Sequence, residues 1–150
     1  MKIRVIGFNF TKISIEKINE INLEKLEISN NINISEIKKT DSNLLNTKDE
    51  IIAIKFTYSI NYDPDFAKID FSGNILFEVD SKYSEEILKE WEDKKIKEDF
   101  KLNLFNMIMR KSNIRAINLE DELNLPIHIK LPSLQKQEET EENNKEEKKE

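Results

Sequence analysis

The sequence contains no cysteine, only two glycines and three prolines, and a single histidine. Without thiols there is no disulfide, no zinc–thiolate site and no thiol nucleophile. Gly7 and Gly73 both fall within strand-like patterns, so no glycine-rich loop exists to cradle a phosphate. Gly73 is instead expected to mark a bulge or a close approach by something packing over it. A lone His128 leaves no serine with a histidine relay, and any metal site would rest on carboxylates alone. His128 itself is expected at the surface, solvated or bonded locally. Asp63, Asp65 and Asp70 lack the glycine and closing glutamate of a calcium loop. No enzymatic activity, cofactor or metal is therefore expected. Nor is there a run of about eighteen apolar residues, which excludes a membrane-spanning helix. A basic stripe is also missing from this chain of net charge −6, which argues against nucleic acid as a partner.

What the chain does have is 150 residues, 37% of them hydrophobic and 36% charged, enough for one domain with its own core. The reading divides it into a domain over 1–134 and a charged tail over 135–150. That tail holds four Lys, seven Glu and no hydrophobic residue, and so is expected to be disordered. Met1-Lys2-Ile3-Arg4 opens directly into a strand pattern rather than a signal peptide, and a cytoplasmic location is expected.

Ile51 to Val79 is the most ordered pattern in the sequence. Ile52, Ile54, Phe56, Tyr58 and Ile60 alternate with polar residues. After Tyr62-Asp63-Pro64-Asp65 the alternation resumes through Ala67, Ile69, Phe71, Gly73, Ile75, Phe77 and Val79. Such a period of two predicts an antiparallel hairpin with one buried face. An earlier strand, Ile3 to Glu16, changes phase between Phe10 and Ile13. The expectation is a bend or bulge near Thr11-Lys12 that turns the second half's apolar face the other way. Leu26, Ile28, Ile32 and Ile34 form a further strand interrupted at Asn30, and Lys38 to Glu50 reads as a loop. Four strands in succession suggest a meander-like antiparallel sheet.

Helical patterns follow Asp80. Ser84 is the expected N-cap of a short helix bearing Ile87, Leu88 and Trp91, with Trp91 as a core anchor. Lys94 to Lys111 is a longer helix with two apolar faces. One carries Ile96, Phe100, Leu104, Met107 and Ile108, and the other Leu102, Phe105 and Met109. A helix apolar on two sides needs two things to pack against. Ser112 to Asn118 is expected to end it, with a further turn or two over Leu119 to Leu123. The proline-bracketed strip Leu125 to Pro132 then lies on an edge or surface. The fold class is α+β: a four-stranded antiparallel sheet with a short helix and a long C-terminal helix packed on one face.

This order of elements resembles that of the SecB family of export chaperones. The likeness is carried by Phe10-Thr11-Lys12-Ile13-Ser14-Ile15-Glu16, by the hairpin with Ser72-Gly73-Asn74-Ile75-Leu76-Phe77, and by Asn106-Met107-Ile108-Met109-Arg110-Lys111-Ser112 leading to Leu125–Pro132. It spans about Lys2 to Leu134 and is that of a divergent member, lacking the family's glycine-rich character around the long helix. The resemblance implies a homotetramer, a dimer of dimers, whose hydrophobic grooves hold unfolded polypeptide clients without nucleotide. It also implies a role in protein export, or in antitoxin protection as in some members. Apolar positions near the second strand and the long helix are the candidate client-binding residues: Phe8, Phe10, Leu26, Ile28, Ile32, Ile34, Phe100, Leu104, Phe105 and Met109. The competing reading is an oligomeric adaptor that binds one folded partner through the second helix face.

Overall fold

The computed structural model describes residues 3–41 and 49–134. The charged tail and most of the expected loop at 38–50 lie outside the described residues. Four strands, β1 (Ile3–Lys17), β2 (Glu27–Thr40), β3 (Glu50–Asp63) and β4 (Ala67–Val79), are followed by α1 (Ser81–Glu92) and α2 (Glu98–Glu122).

The central hairpin forms as the alternation dictates. The even positions of β3 and the odd positions of β4 point to one side, where Ile52, Ile54, Tyr58, Ile60, Ile69, Phe71 and Ile75 are fully excluded from solvent. The helices cover that side. The sheet order is β1-β4-β3-β2, all antiparallel, so the expected meander is corrected. β2, β3 and β4 are consecutive hairpin neighbours, whereas β1 lies beside β4, a Greek-key arrangement. The pairing runs the whole length of both strands, from Ile3↔Val79 to Lys17↔Ala67.

Two bulges interrupt β1, between Val5 and Gly7 and between Phe10 and Lys12. The second is where the phase change predicts it, but its effect is the reverse of the expectation. By inserting one residue, each bulge cancels a phase change in the sequence. Val5, Phe8, Phe10, Ile13 and Ile15 thus all fall opposite inward-facing residues of β4 or Gly73. Nor is β2 interrupted at Asn30, which pairs with Ile60; its one irregularity lies between Ile34 and Glu36.

The helices differ from expectation at their ends. Asp80, not Ser84, caps α1, its carboxylate accepting the Tyr83 amide at 2.9 Å. Between the helices, Lys94 takes up a left-handed backbone (φ 57°). Its amide bonds Trp91 O at 2.8 Å, and that of Lys95 bonds Glu90 O at 3.0 Å. This is a Schellman cap with lysine where glycine is usual. The helix expected from Lys94 therefore starts only at Glu98, and Ile96 lies on the connection. Further on, α2 runs through Ser112–Asn118 without a break. Small Ser112 and Ala116 continue the buried row Phe100, Leu104, Ile108 at intervals of four. It stops at a second Schellman cap, with Asn124 at φ 53° and the Leu125 amide on Glu120 O at 2.8 Å.

Candidate functional site

The edge strand β2, the α1–α2 connection and the first half of α2 enclose an open groove of about 630 Å³. Ile32, Asn33 and Ile34 come from β2, Trp91 from the last turn of α1, Lys94, Lys95 and Ile96 from the connection, and Lys101 and Phe105 from α2. The Schellman cap positions three of these, because it reverses the chain directly after Trp91. The Lys94 ammonium stands 4.5 Å from the Trp91 ring centre, and that of Lys101 5.4 Å from the Phe105 ring. Both cations sit over the aromatic faces that attract them.

The groove mixes apolar side chains with Asn33 and three lysines beside a free strand edge. Being last in the sheet order, β2 has one edge with no partner strand among the described residues, so a row of its backbone groups faces outward. An extended peptide entering here meets apolar side chains for affinity and backbone groups for alignment, independent of its own sequence.

The candidate residues from the sequence divide into four sets. Ile32, Ile34 and Phe105 line the groove. Leu26 and Ile28 are half-buried before or early in β2, and Phe8 and Phe10 are half-buried on the distant β1. There they pack against Phe56, with ring centres 5.3 and 6.3 Å away. Phe100 and Leu104 are corrected: at 4% and 0% exposure they are core, because the row they share faces the sheet. They lie outside the β2 groove and instead line a smaller concavity with Ile3, Val5, Phe77 and Met107. Met109 is 37% exposed and Leu102 is 64% exposed, so the second face of the helix has only partial cover within the protomer.

Sequence reasoning missed Trp91, Ile96 and the three lysines as lining residues. Trp91 is half-buried and faces the groove instead of serving as a fully enclosed core anchor. Its position depends on where α1 ends, and nothing in the composition of Asp93-Lys94-Lys95 marks that stop as a glycine would.

His128 is likewise corrected. Its side chain is 1% exposed and lies in a buried polar cluster. Nδ1 bonds Glu120 Oε1, and Nε2 is 2.8 Å from Asn113 Oδ1, which also accepts the Tyr58 hydroxyl at 2.5 Å. The His128 amide donates to Glu120 Oε2 at 2.8 Å, and the Tyr62 hydroxyl donates to Pro126 O at 2.7 Å. A histidine between a carboxylate and a hydroxyl has the makings of a proton relay. Here the imidazole and carboxylate are closed to solvent, so the cluster works as a clamp holding Leu125–His128 across α2 and β3. Among the described residues, no group of three or more acidic or histidine side chains is placed to hold a metal ion.

Burial pushes the Tyr58 and Tyr62 hydroxyls above the ordinary tyrosine value of about 10. The negative charge of Glu120 acts in the same direction on both, while a bond with Asn30 opposes it at Tyr58. In the unfolded chain both ionise near pH 10; in the folded protein each holds its proton to higher pH. Above that pH the unfolded state binds fewer protons, so stability that is fully present below about pH 10 is lost as pH rises. Each group contributes a slope of at most about 1.4 kcal/mol per pH unit. Urea midpoints between about pH 8 and pH 11 should fall accordingly, and Tyr62→Phe should make that fall shallower.

No family model matches the chain, and no curated protein matches it in sequence. Among solved structures, it is similar to a SecB-like chaperone of Mycobacterium tuberculosis, solved in complex with a ChAD peptide from the HigA1 antitoxin. The TM-score is 0.50 at 13% identity, over 91% of this chain and 93% of the other. Together with the four-stranded antiparallel sheet and its two helices, this likeness gives the chain a SecB-like fold.

Proposed function

We propose that the protein is an ATP-independent holdase chaperone that binds unfolded or non-native polypeptide in the groove between β2 and α2. One observation carries the reading: a groove that sets Ile32, Ile34, Trp91, Ile96 and Phe105 among three lysines opens beside a strand edge with no partner strand among the described residues. Shallow apolar sites of this kind grip extended chains of many sequences, since affinity comes from area and backbone bonding rather than from a shaped pocket. The fold shared with a chaperone that was solved holding a peptide supports the reading. No catalytic step belongs to it. The finer elements of the proposal are a cytoplasmic homotetramer, a dimer of dimers, that serves protein export. Its association would cover the apolar second face of α2, where Leu102 and Met109 lie. A second reading, protection of an antitoxin-type client, is favoured by the antitoxin peptide in the similar structure.

The test is aggregation of a chemically denatured model protein, followed by light scattering without nucleotide. A substoichiometric amount of tetramer should delay it. Coincident curves with and without the protein would remove the holdase reading.

A further inference from the structure

The groove is a cationic concavity on an acidic protein. Its lining carries Lys94, Lys95 and Lys101 and no carboxylate, whereas the whole chain has a net charge of −6. Among the described residues, none of the three lysines is committed to a salt bridge. Two of them lie over the rings of Trp91 and Phe105, which places positive charge against the apolar walls themselves. Charges at a low-dielectric rim act over the length of the groove and discriminate partners more than they add affinity.

We infer that the groove selects polypeptide segments whose apolar or aromatic residues are flanked by Asp or Glu, and disfavours the same segments flanked by Lys or Arg. The inference rests on the client-binding reading and gives that reading a substrate class. The apolar part of the segment packs on Ile32, Ile34 and Phe105. Its flanking carboxylates meet the three ammonium groups.

The test uses three labelled unstructured peptides and the full chain, with fluorescence anisotropy as the readout. The first has an apolar core with acidic flanks, the second the same core with basic flanks. The third is a synthetic copy of residues 135–150, which is acidic but has no apolar residue. At low salt the acid-flanked peptide should bind at least roughly tenfold more tightly than the base-flanked one. The gap should close to about twofold or less near 0.5 M salt. The tail copy should bind much more weakly than the acid-flanked peptide. Lys94→Glu/Lys95→Glu/Lys101→Glu should invert the preference. Lys95→Glu/Lys101→Glu, which leaves the left-handed position untouched, should reduce it in case the triple variant folds poorly.

Equal binding of the two flanked peptides, or a preference that survives both sets of substitutions, would overturn the inference while leaving client binding intact. So would a tail copy that binds as tightly as the acid-flanked peptide, because charge alone would then suffice. Failure of all three peptides to bind would remove the client reading along with it.

Discussion

Truncating Glu120 to alanine should lower the free energy of unfolding by about 2–5 kcal/mol, built from about 1–3 kcal/mol for each of the two buried donors left without an acceptor. Glu120 is completely excluded from solvent, and both of its carboxylate oxygens are engaged by His128, one by the imidazole and one by the main-chain amide. Its removal leaves two buried polar groups without an acceptor, and each pays its own desolvation cost. The damage extends along the chain because those bonds fasten Leu125–His128 to the end of α2. Chemical denaturation measures the loss, and limited proteolysis locates it: cleavage within residues 127–134 should accelerate. Glu120→Gln keeps the shape and one acceptor, and should cost about 1–2 kcal/mol. A Glu120→Ala protein with the parental denaturation midpoint would show that the clamp contributes nothing to stability.

Gly73→Ala should destabilise the sheet by about 3 kcal/mol, through overpacking rather than a cavity. A Cβ at this position would lie 2.5 Å from Asn9 O and 2.6–2.7 Å from the Phe56 ring. Gly73 sits between Phe10 on β1 and Phe56 on β3, and the two phenylalanine rings close over it. Its backbone is not in the left-handed region, so the penalty is purely steric. The ring can be moved or shortened, but Asn9 O belongs to the main chain of a paired strand and cannot yield cheaply. In a double-mutant cycle, Phe56→Leu should therefore recover only part of the loss. Thermal or urea unfolding reads both variants. A change below about 1 kcal/mol for Gly73→Ala would mean that β1 is less firmly docked than its register implies.

These two residues also mark what the sequence could and could not disclose. Gly73 was legible: a glycine within a strict alternation of large side chains calls for something close above it, and the close approach is there. The hairpin was legible for the same reason, since a period of two admits a single choice of buried face. The Greek-key return of β1 was not, because pairing partners distant in sequence leave no local signature. The ends of the helices were obscured by caps that place Lys94 and Asn124 in the left-handed positions where glycine usually advertises a stop. His128 was misread because its partners, Tyr58, Asn113 and Glu120, lie 70, 15 and 8 residues away. One signal was available. Glu120 continues the row Phe100, Leu104, Ile108, Ser112, Ala116 at intervals of four, and a carboxylate on a buried row must have a partner.

The candidate site was read in part for related reasons. Ile32, Ile34 and Phe105 follow from strand and helix periodicity, and the groove contains them. Phe100 and Leu104 follow the same periodicity but belong to the opposite face of α2, the one that meets the sheet. Periodicity groups residues onto faces without saying which face stays open. The lysines and Trp91 enter the groove only through the turn between the helices, so their role becomes visible only with that turn in place.

Trp91 is the only tryptophan in the chain, and it lines the groove, so its emission reports directly on whether the groove is occupied. Titration with a tryptophan-free, permanently unfolded polypeptide should shift that emission to shorter wavelength and saturate, as water leaves the indole. An emission spectrum that stays unchanged while the polypeptide binds elsewhere, or fails to bind, would contradict the account.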